Sequence, residues 1–333
     1  AALVAVAAGR RSFVVLQLSL LLHGLGQALW EVGRQAQIQR AVPAHVRGKA
    51  VALYGGVVRV AAVGGPMLGG LLQQRLGTPA VFATEAGFVL LAAAAALGFM
   101  PAHKKSPAAT GKKKRRQGKD PRAPSMFQTL LEHHARFLTA GVASALLSIV
   151  RHARSIALPL VGQEIGLSAT QIGACLSAAM AIEAPMFIPA GWAYDRFGRK
   201  PVVVPGAAII AMAWAALTQA ETRGGLLFAA SLLGVGNGLM SGAGTLTCQD
   251  FAPGDSSPHT PNYFALWNVL TGLATMAAPT LIGGASQRWS VSTAAGITAA
   301  LAAAAAAWFG LAVPEMKYAA RVERGGRGRR PAQ

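Results

Sequence analysis

Six ionisable side chains lie inside long apolar stretches of the chain, where a charge is costly unless it has a partner. They are Glu31, Arg34, Arg59, Arg151, Arg154 and Glu183. Glu31 and Arg34 are three residues apart, as are Arg151 and Arg154, so each pair shares one face of a helix. A carboxylate among apolar residues favours its neutral form, and it can therefore load and release a proton.

Each of these residues has two possible roles. Glu183 can couple proton movement to the movement of a substrate, or it can be the ion-pair partner of Arg151 or Arg154. The three arginines near the middle of the predicted spans, Arg59, Arg151 and Arg154, can bind an anion or act as fixed counter-ions. Glu31 and Arg34 can form an intrahelical pair or a bridge that gates a pathway. His23 also lies in an apolar run, where a histidine is usually a packed residue but can relay protons.

The stretches that carry these residues predict helices that cross a membrane. The chain has 333 residues, of which 53% are hydrophobic and 13% charged, and its mean hydropathy is +0.42. A span needs about 20 predominantly apolar residues. Eight complete runs meet that length, or nine on a generous count: 12–38, 50–74, 79–100, 137–160, 169–191, 201–220, 225–247, 263–286 and 292–313. We therefore predict an all-α polytopic membrane protein.

The positive charge of the chain is concentrated between the apolar runs. The formal net charge is +19, and a linker between the third and fourth runs holds Lys104, Lys105, Lys112, Lys113, Lys114, Arg115, Arg116, Lys119 and Arg122. Such a linker is typical of a solvated cytoplasmic loop and sets the orientation of the spans. A nucleic-acid-binding protein would instead spread its basic residues over a folded soluble surface. Cys175 and Cys248 form neither a disulfide framework nor a zinc pattern, so we expect no metal and no cofactor.

The two parts of the chain contain similar segments, as in transporters built by duplication. Gly24 and Gly26 match Gly234 and Gly236 at an offset of 210 residues, and Pro43 matches Pro253 at the same offset. Further along, Pro66 matches Pro279, and the pair Gly69 and Gly70 matches the pair Gly283 and Gly284. If the last three spans of each part correspond, the second part has six spans and the first part has three.

The loop after the fifth run has the sequence GWAYDRFGRKP, from Gly191 to Pro201. Gly191 would permit a close approach of helices, and Asp195 could accept hydrogen bonds from backbone N–H groups or from an arginine. The other residues of the pattern are Arg196, Gly198, Arg199 and Lys200. This loop resembles the G-x3-D-R-x-G-R-K signature of the major facilitator superfamily. By resemblance it latches the two halves of the transporter in the outward-facing state.

A second pattern, Gly65, Pro66, Gly69 and Gly70, lies at the end of the second run. It resembles the fifth-helix motif of proton-driven drug exporters in this superfamily, although Ala61 stands where the fuller motif has glycine. Packing alone is the alternative role, because Gly65 and Gly69 are spaced for tight helix contact in lipid. A looser match to the loop before the family's fifth helix comprises Pro43, Arg47, Gly48 and Ala50.

The resemblance implies a fold of two helical half-bundles, with about nine of the family's twelve helices present. We expect residues 1–100 to hold the end of helix 3 and helices 4–6, and residues 101–136 to form the basic linker. Residues 137–313 would then hold helices 7–12, and residues 314–333 a basic tail. On this reading the chain is truncated at its N-terminus. The absent helices normally supply much of the cavity, so we expect that the chain does not transport by itself.

The implied function is proton-coupled efflux of a small organic or drug-like molecule by alternating access, in a monomer at the plasma membrane. Uptake of an organic anion or nutrient is the alternative within transport. A non-transporting sensor or scaffold is a further one, which the intact loop from Gly191 to Pro201 disfavours. A membrane enzyme is disfavoured because no nucleophile constellation, paired carboxylates or phosphate-binding loop occurs in a suitable place. The expected partners are the substrate, protons and the bilayer.

Overall fold

A computed structural model of the chain describes residues 13–41, 47–99, 124–254 and 257–315. Every regular element in these ranges is helical. The predictions about the N-terminal stub, the basic linker up to Arg122, Pro43 and the residues of the tail after 315 lie outside the described residues. The side chains of Glu31 and Arg34 are also outside them.

The chain divides into two compact units. The first contains Ala1–Gln117 and Ser168–Ser177, and the second contains Gly118–Leu167 and Ala178–Gln333. The first unit holds helices α1 (Phe13–Ala41), α2 (Arg47–Leu76) and α3 (Thr78–Phe99), of which α2 packs on both others. It also holds the start of α7 (Ala169–Phe197), whose backbone lies against α2.

Close packing in the first unit occurs at a different glycine from the two that the spacing predicted. A Cβ atom on Gly65 or Gly69 would meet no described atom within 4 Å. A Cβ atom on Gly70 would instead overlap the carbonyl of Ala169. Gly70 of the motif therefore makes a close helix contact, and the packing roles of Gly65 and Gly69 stay predictions.

The second unit holds the remaining helices. These are α4 (Met126–Glu132), α5 (His134–Arg136), a π-helical turn (Phe137–Gly141), α6 (Val142–Glu164), most of α7, α8 (Lys200–Leu217), α9 (Arg223–Leu239), α10 (Ala243–Phe251), α11 (Thr260–Arg288) and α12 (Val291–Ala312). Helix α12 packs on α8 and α6, α9 packs on α8, and α11 packs on α6.

Eight helical segments of the described residues are long and apolar enough to cross a membrane, if α9 and α10 are counted together as Arg223–Phe251. Six of these segments begin after residue 123. The run 12–38 also forms a helix, α1. One run differs from its prediction: 225–247 is not a single helix, because the chain turns between α9 and α10, where Gly242 adopts a φ of 81°. Residues 126–136, which the sequence places in the linker, are helical as well.

The contacts of the second unit place its loops at two ends. At one end, Arg136 Nη1 donates to the carbonyl of Phe251 at 2.8 Å, and Arg199 Nε donates to Asp250 at 2.7 Å. At the other end, Ser292 Oγ donates to the carbonyl of Thr218 at 2.9 Å. Successive spans therefore run in alternating directions. We call the end that carries Arg136, Arg199 and Lys200 the basic end.

Helices α8 and α9 approach each other through glycine. A Cβ atom on Gly236 would lie 2.5 Å from Ile210 Cγ1 and 2.9 Å from the carbonyl oxygen of Gly206. Such a contact excludes any larger residue at this position. Small residues allow two helix backbones to come this close. In lipid, the van der Waals contacts that result, and not the hydrophobic effect, drive helix association.

We expect Gly236→Ala to destabilise the second unit by about 1–3 kcal/mol, because the added methyl group overlaps α8. Thermal unfolding in detergent, followed with a dye that reacts with the buried thiols of Cys175 and Cys248, measures the change. Gly272→Ala in α11 is the control, since no described atom lies within 4 Å of its Cβ position. Equal melting temperatures for both variants would contradict the close approach.

A cluster of histidines and aromatic rings joins α4 to the start of α11 at the basic end. His259 Nε2 lies 3.0 Å from Glu132 Oε2, and His259 Nδ1 lies 3.0 Å from Thr129 Oγ1. The ring of His133 packs edge-on against His259 at 5.5 Å and against Tyr263 at 5.9 Å. Burial lowers the pKa of His133, Arg136 lowers it further, Glu132 raises it and His259 lowers it.

We expect His133 to make the protein less stable in acid. The unfolded chain binds the proton more tightly than the folded one, so the contribution is complete above about pH 6.5 and is lost as the pH falls through the folded pKa. His133→Gln should therefore show a smaller drop in melting temperature between about pH 7.5 and about pH 5.5. His134→Gln, at an exposed neighbour, should keep the slope of the unmodified protein. Parallel slopes for all three proteins would contradict this role.

Candidate functional site

The centre of the second unit contains an ion pair between two helices. Arg154 Nη1 on α6 lies 2.6 Å from Glu183 Oε2 on α7, and their side chains are 15% and 22% exposed. These two atoms make no well-aligned hydrogen bond, so their contact is electrostatic. Glu183 therefore has a counter-ion and is not an isolated acid.

Arg151 lies one turn before Arg154 on α6 and binds an uncharged partner. Its Nε donates to Asn237 Oδ1 at 2.8 Å, and Asn237 Nδ2 donates to the carbonyl of Leu233 at 2.8 Å. Asn237 is fully buried. The amide therefore fixes the position of the guanidinium without neutralising its charge.

These four side chains form a polar group within otherwise apolar helices. A buried acid, its counter-ion and a second cation held by an amide can exchange a proton or an anion without the cost of moving a bare charge through lipid. Removing one partner of such a buried pair leaves the other charge uncompensated, at a cost of about 3–5 kcal/mol.

The remaining predicted charges lie in the first unit. Arg59 Nη1 donates a long bond of 3.4 Å to the carbonyl of Gly55, within its own helix. His23 Nδ1 lies 3.8 Å from Glu85 Oε1, and both side chains are more than a third exposed. Glu85 was missed in the sequence, where it lies inside an apolar run in the same way as Glu183.

At the basic end, Arg199 is buried and paired. The loop predicted from Gly191 to Pro201 is largely helical, since α7 continues to Phe197 and α8 begins at Lys200, so only Gly198 and Arg199 link the two helices. Arg199 Nε donates to Asp250 Oδ2 at 2.7 Å, its Nη2 approaches Oδ1 at 3.4 Å, and its Nη1 donates to the carbonyl of Tyr194 at 3.1 Å. The side chains of Arg199 and Asp250 are only 7% and 9% exposed. A bidentate pair of this kind fixes direction as well as distance, so it ties the end of α7 to the end of α10.

The same loop is joined to the segment after α12. Glu315 Oε1 accepts from the backbone N–H of Arg199 at 2.7 Å, and Oε2 accepts from that of Lys200 at 3.0 Å. A carboxylate at the N-terminus of α8 satisfies N–H groups that have no partner within the helix. Lys200 Nζ donates to the carbonyl of Gly310 at 2.7 Å. Three helices therefore meet at this loop.

Gly198 makes this meeting possible. Its φ is 94°, a conformation that L side chains rarely adopt, and a Cβ atom there would overlap the carboxylate of Glu315. The positive φ turns the chain from α7 into α8 within a few residues. Tyr194 OH donates to the carbonyl of Leu239 at 3.0 Å and anchors the end of α7 from the other side.

Three other residues of this pattern, Gly191, Asp195 and Arg196, are exposed in the second unit. Asp195 is exposed and makes no bond to an arginine among the described residues, and a Cβ atom on Gly191 would meet no described atom within 4 Å. Arg196 lies over the rings of Trp192 and Phe197 at 5.3 and 5.7 Å. The roles of Asp195 and Gly191 stay predictions.

Three residues of the site had no assigned role in the sequence: Asn237, Asp250 and Glu315. Asn237 lies within the repeated glycine segment, where its amide stands in an apolar helical stretch. Asp250 and Glu315 lie just beyond apolar runs, at positions that resemble ordinary helix ends. An acid at the end of a span could have been paired with Arg199 only by knowing which spans are neighbours.

Comparison with known families gives one finding. The family model described as Major Facilitator Superfamily matches residues 1–153 and 140–332. These two segments together cover almost the whole chain. No curated protein matches it.

We expect Asp250→Asn to lower the free energy of unfolding by about 3–5 kcal/mol, because it leaves the buried charge of Arg199 without its carboxylate. Asp195→Asn makes the same chemical change in the same loop region at an exposed position and should stay within about 0.5 kcal/mol. Chemical unfolding of the two purified variants in detergent compares them. If Asp195→Asn lowered the free energy of unfolding more than Asp250→Asn does, Asp250 would not be the carboxylate that stabilises buried Arg199.

Proposed function

Because the chain belongs to the major facilitator superfamily and is an integral, multi-pass membrane transporter, we propose that it couples proton movement to efflux of a small organic or drug-like molecule. The coupling works by alternating access of two helical half-bundles, in a monomer at the plasma membrane. The basic linker and the loop from Gly191 to Pro201 face the cytoplasm in this proposal, in accordance with the positive-inside rule.

One observation carries the proposal: the half-buried Glu183 lies 2.6 Å from Arg154, and both residues are within membrane-spanning helices. While Glu183 is ionised, the pair is neutral and holds α6 and α7 together. Protonation of Glu183 removes its charge and releases Arg154, which then requires a new partner. A protonated and an ionised site therefore favour different helix arrangements, which is the requirement for coupling a proton to a conformational change.

The network around Arg199 supports a gating role for the loop. It joins α7, α8, α10 and the end of α12 through buried, charge-assisted bonds, so these elements move together at the cytoplasmic end. A rigid joint of this kind transmits a displacement at Glu183, which is also on α7, to the cytoplasmic surface. Arg196, Asp195 and Gly191 remain exposed in the second unit and are available for contacts of the whole transporter.

A second candidate function is uptake of an organic anion. It is supported by Arg151, whose partner Asn237 is uncharged, so that a positive charge remains beside the Arg154–Glu183 pair. A carboxylate or phosphate of a substrate could bind both guanidinium groups. The two functions differ in the charge of the transported molecule and in its direction.

We expect Glu183→Gln to abolish proton-coupled transport, because glutamine cannot release a proton. Everted vesicles that contain the protein, loaded with a pH-sensitive dye, report proton movement when ethidium is added as a cationic probe or benzoate as an anionic one. Glu221→Gln, at an exposed loop position, should transport as the unmodified protein does. Proton-driven accumulation that persists in Glu183→Gln would remove the coupling role.

A loss of folding must be distinguished from a loss of coupling. The double variant Arg154→Gln with Glu183→Gln removes both charges and should recover most of the stability that Glu183→Gln loses, since no uncompensated charge stays buried. It should still fail to couple. Benzoate-driven proton movement without a response to ethidium would favour the anion function.

A further inference from the structure

A cavity of about 310 Å³ lies between α6, α11 and α12, and neither Arg154 nor Glu183 lines it. Its floor is formed by Ile149 and Ala153 of α6, and its walls include Leu281 and Gly284 of α11 and Ile297 of α12. This volume is at the lower end of the range for small-molecule sites. The lining is almost entirely apolar, so the cavity fits a hydrocarbon segment.

The cavity opens on the outside of these helices. Leu281 and Ile297 on its walls are 47% and 41% exposed in the second unit. In a bilayer, the surroundings of an exposed apolar side chain on a spanning helix are acyl chains. The molecule that can enter from this side is therefore a lipid, and it can enter without leaving the membrane.

One end of the cavity is positively charged. Arg288 and Trp289 line it where α11 ends, and the guanidinium of Arg288 lies over the Trp289 ring at 5.8 Å. No carboxylate among the described residues lies within ion-pair distance of Arg288. Helix α12 begins two residues after Trp289, and its N-terminus adds to the positive field. Tryptophan and arginine at a span end are typical of the level of lipid headgroups.

We propose that this cavity binds a phospholipid of the leaflet opposite to the basic loops, with one acyl chain between α6, α11 and α12 and its phosphate against Arg288. The apolar walls favour an acyl chain. Arg288, at the rim of the cavity, favours an anionic headgroup at the depth where lipid phosphates lie. The bound lipid would fill the space between α11 and α12, which face each other across the cavity. Its chemistry is separate from that of the transported substrate.

The probe for this site is phosphatidylglycerol that carries a photoreactive group at the end of one acyl chain, mixed into phosphatidylcholine vesicles that contain the protein. Light-induced labelling is mapped on peptides by mass spectrometry. We expect labels on α6, α11 and α12 at the residues that line the cavity. Labels distributed evenly over the spans would overturn the proposal.

A pair of matched variants tests the apolar part. Gly284→Leu places a side chain into the cavity, and Gly283→Leu makes the same change one residue earlier, at a position that does not line it. Neither added Cβ atom meets a described atom within 4 Å, so both variants should fold. Labelling should fall by about tenfold or more in Gly284→Leu, through loss of the buried chain, and stay unchanged in Gly283→Leu. Equal labelling in the two variants would overturn the site.

A second pair tests the headgroup. Arg288→Gln should lower labelling by phosphatidylglycerol by about fivefold, in line with one basic residue near an anionic surface. Arg223→Gln, at an exposed arginine that does not line the cavity, should have no effect. A photoreactive diglyceride with the same chain but no phosphate should label weakly and be insensitive to Arg288→Gln. Unchanged phosphatidylglycerol labelling in Arg288→Gln would overturn recognition of the phosphate.

Discussion

A charge among membrane-spanning helices must find its partner within the protein, since lipid tails offer neither water nor counter-ions. The second unit obeys this constraint at two levels. At the centre, Arg154 lies 2.6 Å from Glu183, and at the basic end Arg199 is held by Asp250. Each pair connects different helices, so the neutralisation of charge also determines which helices stay together. The partners of Arg154 and Arg199 are thus structural and functional features at once.

The loop from Gly191 to Pro201 illustrates how backbone and side-chain requirements combine. The start of α8 has unpaired N–H groups, and Glu315 satisfies two of them while it lies beside the turn at Gly198. Because the carboxylate comes from the segment after α12, a local helix cap becomes a long-range connection. This segment therefore turns the chain and also joins the start of α8 to the end of α12.

Small residues have the complementary role where no charge is present. Gly236 lets α9 approach α8 so closely that a methyl group would overlap Ile210. Helices that are not in such contact leave space, as between α6, α11 and α12, where Gly284 lines an open cavity. The absence of a side chain therefore has opposite effects at these positions. At Gly236 it lets α8 and α9 touch, and at Gly284 it leaves the cavity between α6, α11 and α12 larger. The neighbouring helix decides which effect occurs.

The sequence alone determined that the protein lies in a lipid bilayer, where most spans approximately begin and end, and which family it belongs to. These properties depend on composition and on local patterns such as Gly191 to Pro201. The sequence also singled out Glu183 and Arg154, since a charge in an apolar run is visible without a structure. Only the tertiary structure decided their pairing, the link of Arg199 to Asp250, the close helix contact at Gly70 and the break between α9 and α10. The physical reason is that pairing and close approach depend on which helices are neighbours and how each is rotated, and residues far apart in the chain carry no local record of either.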